Sequence, residues 1–140
     1  MKQVKQILFR VAVKRQVPLS IVANHFTPMP PSPFIRRVVV EPGFDKADNY
    51  ILDHVEKSDL VITGDILLAE RILEKGALAL SSRGLLYTED NIKPIVAMRN
   101  INESLRDSGC IQGGLNPLQQ KDILLFSNHL DRILTRLHRT

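Results

Sequence analysis

Three aspartates in the chain stand where an apolar strand gives way to a helix: Asp65 in SDLVITGDILLAE, and Asp45 and Asp48 in PGFDKAD. Hard divalent cations such as Mg²⁺ and Mn²⁺ seek oxygen ligands of this kind, few in number, with water and substrate phosphate completing the shell. A cation so held activates water and offsets charge on a phosphodiester in transfer. The residue types therefore permit metal-dependent phosphodiester hydrolysis. A plainer reading competes for each of them. Aspartate is a favoured helix N-cap, and Asp45 with Asp48 resembles a capping box in which an acid replaces the usual glutamate. Spacing alone leaves ligand and cap open.

Other chemistries have less to stand on. His25, His54, His129 and His138 share no metal-ligand spacing, and Cys110 sits in no thiol-nucleophile motif. Neither G-x-x-x-x-G-K-[ST] nor G-x-G-x-x-G occurs, so no phosphate-cradling loop is visible. Arg132, Arg136 and Arg139 form a stripe that could track phosphates or simply face solvent. Aromatics make up 5% of the chain and tryptophan is absent, which argues against a base-stacking platform.

The elements that must position the acids follow from periodicity. Val4, Ile7, Leu8 and Val11 recur at helical spacing, which predicts a helix over residues 2–16, and PLSIVAN is a short buried strand. HFTPMPPSPF holds four prolines and must be an extended loop, because proline offers no N–H to a ladder. IRRVVVE reads as a strand, DKADNYILDHVEK as a helix, and the unbroken apolar run DLVITG as a strand buried on both faces. A helix from Ile66 to Lys75 stops at Gly76, suited to a left-handed helix end, and ALAL is a strand before the loop SSRG. Thr88 opens a helix that Pro94 should delay or kink. Asn116, Pro117 and Gln119 mark the start of a last helix, with Phe126, Leu130, Ile133, Leu134 and Leu137 on one stripe.

Strands alternating with helices predict one α/β domain over residues 1–140, a three-layer parallel sheet with helices on both faces. Ligands in such sheets gather beyond the carboxyl ends of the strands, where Asp45, Asp48 and Asp65 fall. The formal net charge is +4, and it is unevenly spread: no acid precedes Glu41, while Lys2, Lys5, Arg10, Lys14, Arg15, Arg36 and Arg37 do. A basic flank beside an acidic middle suits phosphates held around a cation, or two solvated surfaces. A lone cysteine fits a reducing cytoplasm, and no apolar run reaches the length of a membrane span. The basic start MKQVKQILFRVAVKRQ lacks serine and merges into the next strand, so it reads as part of the fold.

Taken in order, GFDKADNYI, SDLVITGDILLAERILEKGALAL, RGLLYTEDNI, MRNINESLRDSGCIQGG and KDILLFSNHLDRIL resemble the bacterial YaiI/YqxD family, which is similar to PIN-like domains, a group containing metal-dependent ribonucleases. The resemblance implies a PIN-like fold and Mg²⁺- or Mn²⁺-dependent cleavage, with RNA as the expected substrate. It implies Asp45, Asp48 and Asp65 as metal ligands, Asp48 and Asp65 also as catalytic residues, and Arg83 and Arg99 as phosphate contacts or structural anchors. Gly84, Arg106, Gly113, Gly114 and Asp122 match the family pattern too.

The chain departs from that pattern in three places. Ser81 and Ser82 stand where the family has Asn-Pro, and Asn100 stands where it has an acid. The family also begins with a strand ending in Asp-Ala-Asp-Ala-Cys-Pro, which precedes the first helix of this chain. Loss of a central strand would leave ladder groups unpaired and remove carboxylates from the site. The expectation is a truncated or misassigned start, or a degenerate copy without activity. The competing function is a non-catalytic module that binds nucleic acid or protein through its basic face.

Overall fold

The computed structural model describes residues 2–43, 45–107 and 118–137. The chain divides into two compact units, Met1–Val55 and Glu56–Thr140.

The first unit opens with α1 (Lys2–Arg15), followed by β1 (Leu19–Ala23), β2 (Ile35–Val39) and α2 (Lys46–His54). Helix α1 packs on both strands and buries Val4 and Ala12. It ends with Gln16 at φ 57, so the Val17 N–H turns back to the Ala12 carbonyl at 3.0 Å. That left-handed place favours glycine, and a side chain there costs about 1 kcal/mol. Strands β1 and β2 run parallel, from Leu19 opposite Ile35 to Ala23 opposite Val39. Parallel neighbours need a long crossover, usually helical, and here the proline-rich loop supplies it.

Arg37 on β2 holds that loop in place. Its Nε and Nη2 donate to the Thr27 carbonyl at 3.3 and 3.1 Å, and its guanidinium lies 3.7 Å above the centre of the Phe26 ring. Thr27 is buried, and its hydroxyl has no hydrogen-bond partner among the described residues.

The second unit contains β3 (Leu60–Ile62), α3 (Ile66–Glu74), β4 (Leu78–Leu80), β5 (Leu86–Tyr87), α4 (Glu89–Asp107) and α5 (Gln120–Leu137). Its sheet has the order β3-β4-β5, with β3 and β4 parallel and β4 and β5 antiparallel. Helix α3 joins the two parallel strands and packs on β4 and α4. It buries Leu68, Ala69 and Ile72, and it closes as foreseen at Gly76, φ 82. The Gly76 and Ala77 N–H groups take the carbonyls of Leu73 and Ile72, the paired bonds of a Schellman end. Phe126, Leu130, Ile133 and Leu134 form the buried stripe of α5.

The α/β class and the parallel pairings agree with the sequence, whereas several details do not. The described strands form two small sheets, and β5, two residues long, returns antiparallel. Helix α2 stops at His54 instead of running to Lys57, because the Asp59 carboxylate takes the Glu56 N–H at 2.9 Å and draws the chain into a turn. Helix α4 starts at Glu89 and continues through Pro94. Pro94 lies near the start of the helix and deprives only the exposed Asp90 carbonyl, which water can satisfy. Leu118 and Gln119 precede α5, which therefore begins at Gln120 and not at Pro117. Cys110, Gly113, Gly114, Asn116, Pro117, His138 and Arg139 lie outside the described residues.

Gly84 governs how the β4–β5 loop meets α5. It has φ +87, and a Cβ built on it would lie 2.7 Å from the Phe126 nitrogen and 2.8 Å from Leu125 Cβ. The helix backbone cannot yield that space cheaply. Gly84→Ala is expected to lower the unfolding free energy by about 2–3 kcal/mol, the scale of overpacking, as read from a denaturant midpoint.

Candidate functional site

The carboxyl ends of two parallel strands share a rim, and in the first unit the N-terminus of α2 stands at that rim. An open cleft of about 280 Å³ lies there, lined by Asn24 and His25 after β1 and by Gly43, Asp45, Lys46 and Asp48 around the start of α2. The structure thus brings Asp45 and Asp48 to one cleft, as expected of strand-end acids. It adds His25, Asn24 and Lys46, which the sequence reading left aside. The signal for His25 was its place directly after a strand; isolated spacing carried no hint of it.

Asp45 occupies the N-cap position of α2, but its carboxylate accepts no hydrogen bond from the helix. Its backbone is left-handed, with φ 62 and ψ 10, whereas a capping aspartate is normally extended. Aspartate is among the few side chains that tolerate this region. The capping-box reading therefore fails on the Asp45 side. Asp48 is half-buried in the first turn, where a negative charge suits the helix dipole.

Asp65 belongs to the second unit and behaves differently. It is extended, φ −84 and ψ 110, and its Oδ1 accepts from the Leu67 and Leu68 N–H groups at 3.0 and 3.1 Å. Its own N–H donates to Thr63 Oγ1 at 3.0 Å, and the Thr63 N–H donates to the Leu80 carbonyl, which extends the β3–β4 pairing into the turn. The strand end therefore fixes the cap, and the cap fixes the start of α3. Among the described residues, no group of three or more His, Cys, Asp or Glu side chains is placed to hold a metal ion.

Both candidate phosphate contacts have acid partners. Arg83 donates Nη1 to Asp122 Oδ2 at 3.4 Å, and the same oxygen accepts from the Gln119 N–H at 2.9 Å before α5. Asp122 thus ties the loop to the helix start. Ser81 organises the rest of the loop, its Oγ accepting from the Arg83 and Leu85 N–H groups at 3.2 and 3.1 Å. Arg99, on α4, pairs with Glu103 one turn on at 2.7 Å and donates to Asn100 Oδ1 at 3.0 Å. A larger open groove of about 440 Å³ follows α5 past Arg132 and Arg136 and contains none of the three aspartates.

The model of the "Uncharacterized BCR, YaiI/YqxD family" matches residues 2–136. The chain belongs to the YaiI/YqxD family. Bacterial relatives in the family include a "UPF0178 protein" of Shewanella amazonensis, 52% identical over 134 residues, covering 96% of this chain and 90% of the relative. Another "UPF0178 protein", from Maridesulfovibrio salexigens, is 52% identical over 135 residues, covering 96% and 89%. No solved structure matches the chain. Among the described residues, no helix is long and apolar enough to cross a membrane.

Tyr87, at the end of β5, reports on Asp65. Burial raises the pKa of its phenol above the usual 10.0, and the Asp65 charge raises it further. The unfolded chain therefore ionises first as pH rises, so this contribution to stability is complete below about pH 10 and declines above it. Tyr87→Phe should flatten the alkaline fall of the denaturant midpoint. Asp65→Asn, which preserves a cap, should make the fall shallower.

Proposed function

We propose that the chain binds a hydrated divalent cation, Mg²⁺ or Mn²⁺, in the Asp45 and Asp48 cleft and hydrolyses phosphodiester bonds of RNA there, on a PIN-like three-layer scaffold. The observation that carries the proposal is Asp45: a carboxylate at an N-cap position that makes no side-chain cap bond and lines an open cleft at a strand-end rim. The parallel pairing of β1 with β2 supports the scaffold reading.

The donor set fits a hard cation. Two carboxylates with room for water match the way Mg²⁺ is commonly held, with few protein ligands and substrate oxygens in the remaining places. A bound cation would supply Lewis acidity toward the phosphate oxygens and ease deprotonation of water at neutral pH. Asp45 and Asp48 would hold it, and the Lys46 ammonium beside them favours an anionic substrate at the cleft. Asp65 enters this reading as the cap of α3, since its Oδ1 already serves two backbone donors.

A second reading, a binding module without catalysis, is favoured by the exposed Arg36 and Arg37 on β2, a basic surface that needs no cation to meet phosphate. One assay separates the two. With Mn²⁺ present, the wild type should cleave single-stranded RNA, and Asp45→Asn and Asp48→Asn should each reduce the rate by about 10²-fold or more, the scale of removing a group that stabilises developing charge. Asp65→Asn should retain cleavage. RNA binding with no cleavage by the wild type would favour the module.

A further inference from the structure

We infer that Phe26 is a stacking platform for one unpaired nucleobase of a single strand that lies along the Asp45 and Asp48 cleft. The inference rests on the RNA reading above and deepens it by giving the substrate a single-stranded character and a contact for its base. Phe26 directly follows Asn24 and His25, which line the cleft. Consecutive Cα atoms lie about 3.8 Å apart, so the residue that carries the ring is attached next to one that lines the cleft.

Phe26 is 67% exposed, the sole aromatic among the large exposed apolar residues described. It is nevertheless held firmly. The Arg37 guanidinium covers one face at 3.7 Å, and that guanidinium is itself fixed by two hydrogen bonds to the carbonyl of the buried Thr27. A ring braced on one face and open on the other is preorganised for stacking, because little side-chain freedom is left to lose on binding. Pro28, Pro30, Pro31 and Pro33 stiffen the loop that carries it.

The surrounding charge selects the occupant. Arg37 lies against the ring and Lys46 lines the cleft, so the ring and the cleft each have a cation suited to a phosphate backbone. A base on an aromatic face between phosphate contacts is the common mode of single-strand binding, and it needs no sequence-specific hydrogen bond. The scarcity of aromatics limits this chain to one such contact without forbidding it. A peptide would find the ring equally apolar, but it would gain nothing general from the cations.

The test is fluorescence anisotropy of a labelled short oligoribonucleotide in EDTA, which separates binding from any cleavage. The comparison strand carries abasic sites. The wild type should bind the base-bearing strand more tightly than the abasic one. Phe26→Leu should weaken binding by about 5- to 100-fold, as for loss of one base–aromatic contact, and should erase that preference. Phe26→Tyr should keep both. As a measurement on the unmodified protein, 2-aminopurine in the strand should be quenched on binding, the signature of a stacked base. If the wild type binds both strands equally, or leucine changes nothing, the platform is overturned while the RNA reading stands. A wild type that binds no single strand in EDTA overturns the platform, and the cleavage assay with Mn²⁺ decides the RNA reading separately.

Discussion

A helix that begins at the end of a strand exposes backbone N–H groups that need acceptors, and how that need is met decides which acids remain available for anything else. Helix α3 spends Asp65 on it, with both bonds falling on Oδ1. Helix α4 uses Thr88 and Asn91 reciprocally: the Thr88 N–H donates to Asn91 Oδ1 at 2.8 Å and the Asn91 N–H to Thr88 Oγ1 at 3.2 Å. Before α5, Asp122 takes the Gln119 N–H. Asp45 stands apart, because its left-handed backbone turns the carboxylate away from a capping role. Availability for a cation therefore follows from local backbone geometry more than from residue type.

The same economy runs through the second unit. Asp122 both prepares the start of α5 and receives Arg83, while Gly84 brings the loop against the α5 backbone at Phe126. Arg83, Gly84 and Asp122 thus take part in one docking contact. Arg83 and Arg99 bear positive charge, but each has an acid close by, which lowers its value as a free grip on phosphate. The cations best placed near the proposed site are others: Lys46 in the cleft and Arg37 behind Phe26.

Much of the fold was legible because its signals are local. Apolar period marks α1 and α3, valine-rich runs mark β2, and a glycine with its left-handed turn marks the end of α3. Strand β5 escaped because two residues are too short to show a period, and its antiparallel pairing depends on the five-residue loop that Ser81 organises. The start of α5 moved because Asp122 supplies its cap from three residues after Gln119. The site was legible in part. Strand-end position found Asp45 and Asp48, but no pattern of residue types announces a left-handed aspartate, and an N-cap reading suits Asp45 and Asp65 equally well on paper. The role of Phe26 was hidden for a related reason: composition counts rings, whereas exposure and an arginine brace are properties of the folded loop.

Two aspartates that look alike in sequence differ in the proposed site: the cation falls to Asp45 with Asp48, and Asp65 stays with its helix. Paramagnetic broadening of amide signals by Mn²⁺ in the ¹⁵N-labelled protein tests this most directly. The predicted result is selective broadening at Asn24, His25 and residues 45–48, lost in Asp45→Asn and retained in Asp65→Asn. Broadening centred on Asp65, or no selective broadening at any Mn²⁺ concentration that leaves the protein folded, would contradict it.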